Sequence, residues 1–194
     1  MRDHAPRTSL AIVSVLMLLL VAITAVPPTP AAAKGAKRFE VTERFAFRLV
    51  NCLRTGGKVT AAGKCIGYGS GRFSKKVPAL KFSRKISDKV SWPWAKRTVA
   101  KRGCTHSMTG STVDRRFRAA GLRNAKNGEN IGCATYDPRK MTIFIVRWWQ
   151  RERSYRGAHW RQIKDPRFKS AGFGVAKHGR RTHLVVNFYG TAVK

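Results

Sequence analysis

Acidic residues are scarce in this sequence. Its 194 residues include 9 Asp or Glu against 40 Lys or Arg, which gives a formal net charge of +31. Soluble proteins usually mix charges of both signs on their surfaces, so an ordinary cytosolic composition is excluded. Intrinsic disorder is also excluded, because 43% of the residues are hydrophobic and 10% are aromatic, enough to fill a core. The excess of one sign predicts persistent attraction to polyanions.

Long apolar runs are also few: one uncharged run spans residues 10–26, and no second one follows it. Arg2 and Arg7 precede the run, and small residues in an A-x-A arrangement follow it. These features are typical of a secretory signal peptide over residues 1–33, with cleavage after Ala33. Cleavage would leave a secreted, soluble chain with a net charge of +30. The alternative is an uncleaved segment that anchors the protein in a membrane, because the run has the length of a short membrane span.

The sequence lacks any C-x-x-C pair, although it has four cysteines. A tetrahedral cysteine metal site is therefore disfavoured, whereas two disulfides suit an exported protein. Four cysteines allow three pairings. Our hypothesis pairs Cys52 with Cys65, which closes a glycine-rich loop, and Cys104 with Cys133.

Apolar spacing and cap residues predict helices in most of the chain and strands at its end. The predicted helices span residues 39–54, 83–102 and 111–120 and a segment that begins at Asp137-Pro138. Pro93 interrupts the second of these helices, and Ser91 is predicted to be the N-cap of its later part. Two alternating runs, residues 172–177 and 182–189, predict an antiparallel hairpin. Together these elements predict an α+β fold in which helices cover a sheet.

Two glutamates lack an evident capping role. Glu129 lies between a glycine and an asparagine, and Glu152 ends a helix, where the helix dipole disfavours an anion. His106 follows Cys104 by two residues, and Glu129 precedes Cys133 by four. A disulfide between these cysteines would therefore bring His106 close to Glu129.

The remaining histidines differ in their surroundings. His159 lies seven residues after Glu152, in the loop that follows the same helix. Two histidines and two glutamates that converge on a cleft would form a site for a divalent metal such as zinc, with His106 and His159 as ligands. The alternative is that both are ordinary surface or core histidines. His178 is interpreted as a solvated turn residue, and His183 as an ordinary strand residue.

Several motifs resemble, in order, those of the CAP superfamily. This superfamily comprises cysteine-rich secretory proteins, antigen 5 and plant pathogenesis-related 1 proteins, with many secreted bacterial members that carry an SCP-like domain. The motifs are NCLR, VPALKFS, CTHSMTG, GENIG, WWQRE, GAHWRQI and GFGVAKHGRRTHLVVNFYG. The resemblance implies one domain over residues 39–190, with a basic lead-in at 34–38 and a tail at 191–194.

The same resemblance implies a fold and a site. The fold is a three-layer α-β-α sandwich, whose central antiparallel sheet includes the C-terminal hairpin. The family's cleft tetrad, carried over residue by residue, resembles His106, Glu129, Glu152 and His159. Many bacterial relatives have serine at the third of these positions, so Ser154 is the alternative to Glu152.

Adjacent tryptophans mark the helix that follows Asp137. Trp148 and Trp149, with Phe144 and Val146 nearby, are interpreted first as a core face. A groove that binds lipid is the alternative.

These observations favour a secreted, cationic protein that acts by binding a divalent metal, a lipid or an anionic cell-envelope polymer. A metal-dependent hydrolase is the less favoured alternative, with Glu129 or Glu152 as general base, and no catalytic residue is assigned. A polyanion-binding antimicrobial protein, in which the cleft has no role, is another. No motif that reads DNA or RNA is evident, so binding to nucleic acid in vitro would be non-specific.

Overall fold

The computed structural model describes residues 35–193. The predicted signal peptide, Lys34 of the lead-in and Lys194 of the tail lie outside the described residues.

The described chain consists of helices and strands that are mixed along the sequence. The helices are α1 (Glu40–Arg54), α2 (Arg84–Ile86), α3 (Trp92–Ala100), α4 (Val113–Ala119), α5 (Pro138–Arg151) and α6 (Ala158–Lys164). A π-helical turn, Ser87–Ser91, joins α2 to α3, and a 3-10 turn, Glu152–Tyr155, follows α5. The strands are β1 (Lys37–Arg38), β2 (Lys58–Val59), β3 (Cys65–Ile66), β4 (Lys81–Phe82), β5 (Asn127–Ala134), β6 (Ser170–His178) and β7 (Arg181–Tyr189).

The main sheet is built around the predicted C-terminal hairpin. Strands β6 and β7 pair antiparallel from Ser170 opposite Tyr189 to His178 opposite Arg181. Strand β5 pairs antiparallel with β7, whereas β1 and the parallel strand β4 pair with opposite ends of β6. In the described part of the chain β5 has no second neighbour, so it forms one edge of the sheet.

Helices cover both faces of the sheet, which makes the architecture the expected three-layer α-β-α sandwich. Successive residues of strand β7 face opposite helical layers. Leu184, Val186 and Phe188 pack in a cluster with residues of α1, α5 and α6. Val185, between them, packs in a second cluster with Trp94 of α3.

Two glycines of β6 allow a helix to lie directly on the sheet. A Cβ atom on Gly172 would overlap the backbone nitrogen of Ser87, and one on Gly174 would overlap the carbonyl oxygen of Ser91. The π-helical turn therefore packs its backbone against β6, a contact that only glycine permits.

The prediction that Ser91 caps a separate helix is wrong. Ser91 has helical dihedral angles, φ −73° and ψ −48°, and its side chain makes no cap hydrogen bond. The chain remains helical through a wider π-helical turn that ends two residues before Pro93, which has no N–H to donate and needs space for its ring. The predicted cap at Asp137 is confirmed: its carboxylate accepts hydrogen bonds from the backbone N–H groups of Arg139 and Lys140.

Two disulfides fix loops to regular elements. Cys52 of α1 is bonded to Cys65 of β3, and Cys104 is bonded to Cys133 of β5. These are the two pairs of our hypothesis. The second bond fastens the segment before α4 to the edge strand of the sheet.

A buried arginine holds the segments that meet at the end of α1. Arg54 is inaccessible to solvent and donates to four carbonyl oxygens, at distances of 2.6–2.9 Å. The acceptors are Pro78, Ile163, Asp165 and Phe168. Burial lowers the pKa of Arg54 to about 10. The last residue of the NCLR motif thus joins the end of α6 and the segment after it to the segment at Pro78.

Candidate functional site

The first histidine–glutamate pair lies at β5. Glu129 is fully buried, and its Oε1 atom lies 3.0 Å from Nδ1 of His106, a side chain that is half exposed. The other carboxylate oxygen accepts from Arg116 at 2.6 Å and from the amide of Asn187 at 3.0 Å. The imidazole is therefore held from inside the protein and open to solvent outside.

Arg116 of α4 is a site residue that the sequence did not reveal. It donates to the carbonyl oxygen of His106 as well as to Glu129, and its guanidinium lies 3.8 Å over the ring of Trp94. Burial lowers the pKa of Arg116, while the charge of Glu129 opposes that effect. This arginine forms an ion pair with the buried carboxylate and offsets part of its negative charge. Nothing in the sequence distinguishes it from the other basic residues.

The second pair follows α5. Oε1 of Glu152 lies 2.6 Å from Nδ1 of His159, and Oε2 accepts from the backbone N–H groups of His159 and Trp160. Glu152 is buried, whereas about 29% of the His159 side chain is exposed. The ring of His159 also stacks on Trp149, with 5.5 Å between the ring centroids. The second imidazole is thus fixed by a carboxylate and by an aromatic face.

The edge strand β5 connects the two pairs. Glu129 lies on the face that α3 and α4 cover, because its neighbour two residues on, Ile131, packs with Trp94. Asn130 lies on the opposite face and donates to the carbonyl oxygen of His159. Gln162 of α6 donates to the backbone carbonyl of Glu129. The pairs therefore approach the same edge of the sheet from its two faces.

The hydrogen bonds define which imidazole nitrogen is available. A carboxylate can only accept, so Nδ1 of each histidine must carry a proton and donate the hydrogen bond to the glutamate. In a neutral imidazole the other nitrogen, Nε2, then carries a free lone pair. Both histidines are therefore prepared to bind a cation or to accept a proton through Nε2.

The carboxylates themselves are already engaged. All four oxygen atoms of Glu129 and Glu152 accept at least one hydrogen bond. A general base must reach the proton that it removes. This arrangement fits carboxylates that orient histidines better than carboxylates that activate water.

The two pairs supply only part of the coordination shell of a metal ion. Among residues 35–193, no group of three or more His, Cys, Asp and Glu side chains is arranged to hold a metal ion. The donors that fit one are Nε2 of His106 and Nε2 of His159, each backed by a carboxylate as in many histidine metal sites. Water would have to complete the shell.

Three other residues of the sequence analysis lie outside the pairs. Ser154, the alternative at the third position, is exposed, and its hydroxyl donates to the carbonyl oxygen of Arg151. His183 is buried, and its Nδ1 atom lies 3.0 Å from the hydroxyl of Thr98. His178 ends β6, next to the hairpin turn.

The adjacent tryptophans have different surroundings. Trp149 and Val146 are buried in the main core, as the core interpretation predicts. Trp148 is 50% exposed and lies edge-to-face with Phe144, so it is not part of that core. Trp148 therefore belongs to the surface of α5.

Comparisons with known proteins agree with this fold. The family described as the cysteine-rich secretory protein family, CAP, matches residues 47–188, more than half of the chain. An extracellular SCP-domain protein from Bacillus anthracis str. Ames has 18% identity and a TM-score of 0.57, over 78% of this chain and 41% of that one. NaASP2, in a structure with Zn²⁺, has 14% identity and a TM-score of 0.51, over 82% of each chain. No curated protein sequence matches significantly.

Because both identities are low, these structural likenesses establish the fold alone. The chain spans less than half the length of the bacterial protein. Within the described range, 35–193, no helix is long and apolar enough to cross a membrane.

Proposed function

Because this chain belongs to the cysteine-rich secretory protein (CAP) family, we propose that it is an exported protein that acts by binding, with the two histidine–glutamate pairs as its site. The observation that carries this proposal is the bond from Nδ1 of each imidazole to a buried carboxylate. This bond fixes the ring and leaves Nε2 as the available nitrogen of a partly exposed side chain. The leader predicted from the sequence supports export.

The ligand that best suits the free nitrogens is a divalent transition ion such as zinc. Neutral imidazole is a good ligand for zinc and copper, and the ion would be held by His106 and His159. When bound, it would supply a Lewis-acidic centre. The chain's own contribution is to orient both rings and to place two negative charges beside them. NaASP2, which shares the fold, has a structure with Zn²⁺.

Local negative charge is needed because the protein as a whole repels cations. The formal net charge is +31, so a bare dication is attracted only where carboxylates lie close by. Glu129 is partly neutralised by Arg116, at 2.6 Å. Among residues 35–193, Glu152 accepts only from the ring of His159 and from backbone N–H groups. We therefore expect Glu152 to contribute more than Glu129 to the attraction of a metal ion.

Titration calorimetry with Zn²⁺ at neutral pH tests the proposal. We expect a heat of binding for the wild type that is lost in the double variant His106→Ala/His159→Ala. His178→Ala, which removes a histidine outside the pairs, should behave as wild type. Equal heats for wild type and the double variant would refute a metal site at the pairs.

The basic surface supports a second kind of binding. Forty basic residues against nine acidic ones should attract anionic lipids or anionic cell-envelope polymers. Such attraction should weaken steeply with salt, because the screening length falls from about 10 Å at 0.1 M to about 3 Å at 1 M. If an antimicrobial or polymer-binding activity persisted in the double histidine variant and was salt-sensitive, the surface and not the pairs would be responsible.

A further inference from the structure

Three aromatic side chains lie in a row at the outer surface of α5. They are Phe144 and Trp148 of the helix and Tyr136, which precedes it, and we call them the aromatic strip. Tyr136 and Phe144 meet edge-to-face with 5.5 Å between ring centroids, and Phe144 and Trp148 do so at 6.1 Å. Tyr136 is 47% exposed and Trp148 is 50% exposed. Large aromatic side chains thus present a shared apolar surface to solvent.

Two of the three strip residues, Tyr136 and Trp148, are exposed and belong to no core cluster of the described residues, whereas Phe144 packs partly against the main core. The inward face of α5 already fills the main core with Met141, Ile145 and Trp149, all of them buried. The strip instead borders a shallow surface pocket lined by Ala61, Tyr136, Lys140, Ile143, Phe144 and Arg147. Contiguous exposed apolar side chains on a soluble domain commonly mark an interaction surface.

Basic residues accompany the strip along α5, and two of them lie near the start of the helix, where its dipole does not favour them. Arg139 and Lys140 lie in the first turn of α5, where the helix dipole favours acidic side chains. Lys140 is 81% exposed, and its ion pair with Asp137 is long, at 3.9 Å. Arg147 and Arg151 continue the basic series, and α5 contains no acidic residue. These charges suit an anionic partner.

We propose that the aromatic strip, with the basic residues around it, docks this protein on the surface of an anionic lipid bilayer. Tryptophan and tyrosine favour the boundary between headgroups and acyl chains, where the ring is buried and its polar group stays hydrated. Lysine and arginine beside them interact with anionic headgroups. This inference rests on the proposed attraction to anionic partners and adds to it an apolar contact.

The strip favours a bilayer over a soluble polymer. Charge alone draws the protein to either partner. Only a bilayer offers an apolar phase into which the exposed halves of Trp148 and Tyr136 can transfer. Screening of charges by salt does not weaken this transfer. The contact should therefore persist when electrostatic attraction is screened.

A comparison of binding to vesicles with binding to a soluble polyanion separates the apolar contribution of the strip from the electrostatic one. The probes are vesicles of phosphatidylglycerol and phosphatidylcholine in equal parts, and long-chain polyphosphate, each titrated with wild type and Trp148→Ala. About half of the Trp148 side chain is exposed and free to enter the bilayer. We therefore expect its removal to lower vesicle affinity by at least about tenfold. Polyphosphate affinity should stay within about twofold, since no charge is lost.

Two controls complete the experiment. Tyr155→Ala removes another exposed aromatic side chain, 67% exposed and outside the strip, and should leave vesicle affinity unchanged. Trp148→Phe should keep vesicle binding but reduce the quenching of tryptophan fluorescence by lipids brominated near the headgroup. Folding of each variant is checked by circular dichroism.

The outcomes separate the two proposals. Equal vesicle affinity for wild type and Trp148→Ala would overturn docking by the strip while leaving the electrostatic proposal intact. Equal losses for vesicles and polyphosphate would also overturn it, in favour of a polymer-binding surface. If the wild type bound neither probe, both proposals would fail.

Discussion

A Cβ atom on Gly157 would lie 2.5 Å from Oε2 of Glu152. That oxygen accepts hydrogen bonds from the backbone N–H groups of His159 and Trp160. The glutamate therefore cannot move aside without losing the contacts that orient His159. Gly157 has an ordinary negative φ of −56°, so close approach, and not backbone conformation, is what requires glycine at this position.

Gly157→Ala should therefore disturb the second histidine–glutamate pair while the fold persists. We expect zinc affinity to fall by about tenfold to a hundredfold, the range seen when partners of metal-binding histidines are removed. Calorimetry on the variant measures this. Gly35→Ala is the control, because a Cβ at Gly35 has no neighbour within 4 Å. Unchanged zinc binding in Gly157→Ala would show that the position of Glu152 does not matter.

Buried His183 should make the stability of the fold depend on pH. Burial, with a smaller effect of Arg181, lowers the pKa of His183 to about 4. An unfolded chain takes up the proton near pH 6.5. Between these values the unfolded state binds more protons, so stability falls as the pH drops from about 6.5 to about 4, by at most about 3 kcal/mol.

The variant His183→Gln tests this dependence. Glutamine retains an N–H donor for Thr98 and cannot be protonated, so its stability should decline less over the same pH range. Urea unfolding at several pH values from 7 to 4 provides the comparison. If the free energy of unfolding fell equally with pH in the variant and the wild type, His183 would be excluded as the source of the effect.

Arg54 should be among the most sensitive positions for stability. Its replacement by methionine fills similar space but leaves four carbonyl oxygens without their donor, two of them on the buried residues Ile163 and Phe168. Because an unsatisfied buried polar group costs about 1–3 kcal/mol, we expect a loss of at least about 3 kcal/mol in the free energy of unfolding. Arg48→Met, at an exposed position of the same helix, should change it by less than about 0.5 kcal/mol. Similar losses for both variants would show that the carbonyl contacts of Arg54 add little.

Local sequence patterns were sufficient for the longer elements. Helix α1 has a clear apolar face, and α5 begins at an aspartate cap followed by proline. Strands β6 and β7 are buried on both faces, and their residues pack against both helical layers. Each of these signals is contained within one element. They predicted the class of the fold and its C-terminal hairpin.

Strand β5 was not predicted, because its sequence, NGENIGCA, contains residues that disfavour strands. The structure explains its two glycines: a Cβ on Gly128 would overlap Gln162, and one on Gly132 would overlap Ile145. These contacts join residues that are distant in sequence. Helix α6 was missed as well, since its seven residues are too few for a periodic pattern.

The candidate site could be predicted only in part. Its four principal residues came from family motifs, with the Glu152–His159 spacing as weaker support. The role of Arg116 as the partner of Glu129 depends on how α4 packs against β5, and α4 carries three arginines within seven residues. Composition therefore could not indicate which of them contacts Glu129.

The nitrogen chemistry of the two imidazoles tests the central claim most directly. Long-range proton–nitrogen NMR spectra of the folded protein, recorded without and with Zn²⁺, report which ring nitrogen carries the proton and which one binds metal. We predict protonated Nδ1 in His106 and His159, and shifts on zinc addition at their Nε2 atoms alone, with His178 and His183 unchanged. Protonated Nε2 in either of the first two histidines, or no zinc-induced shift in them, would contradict the account.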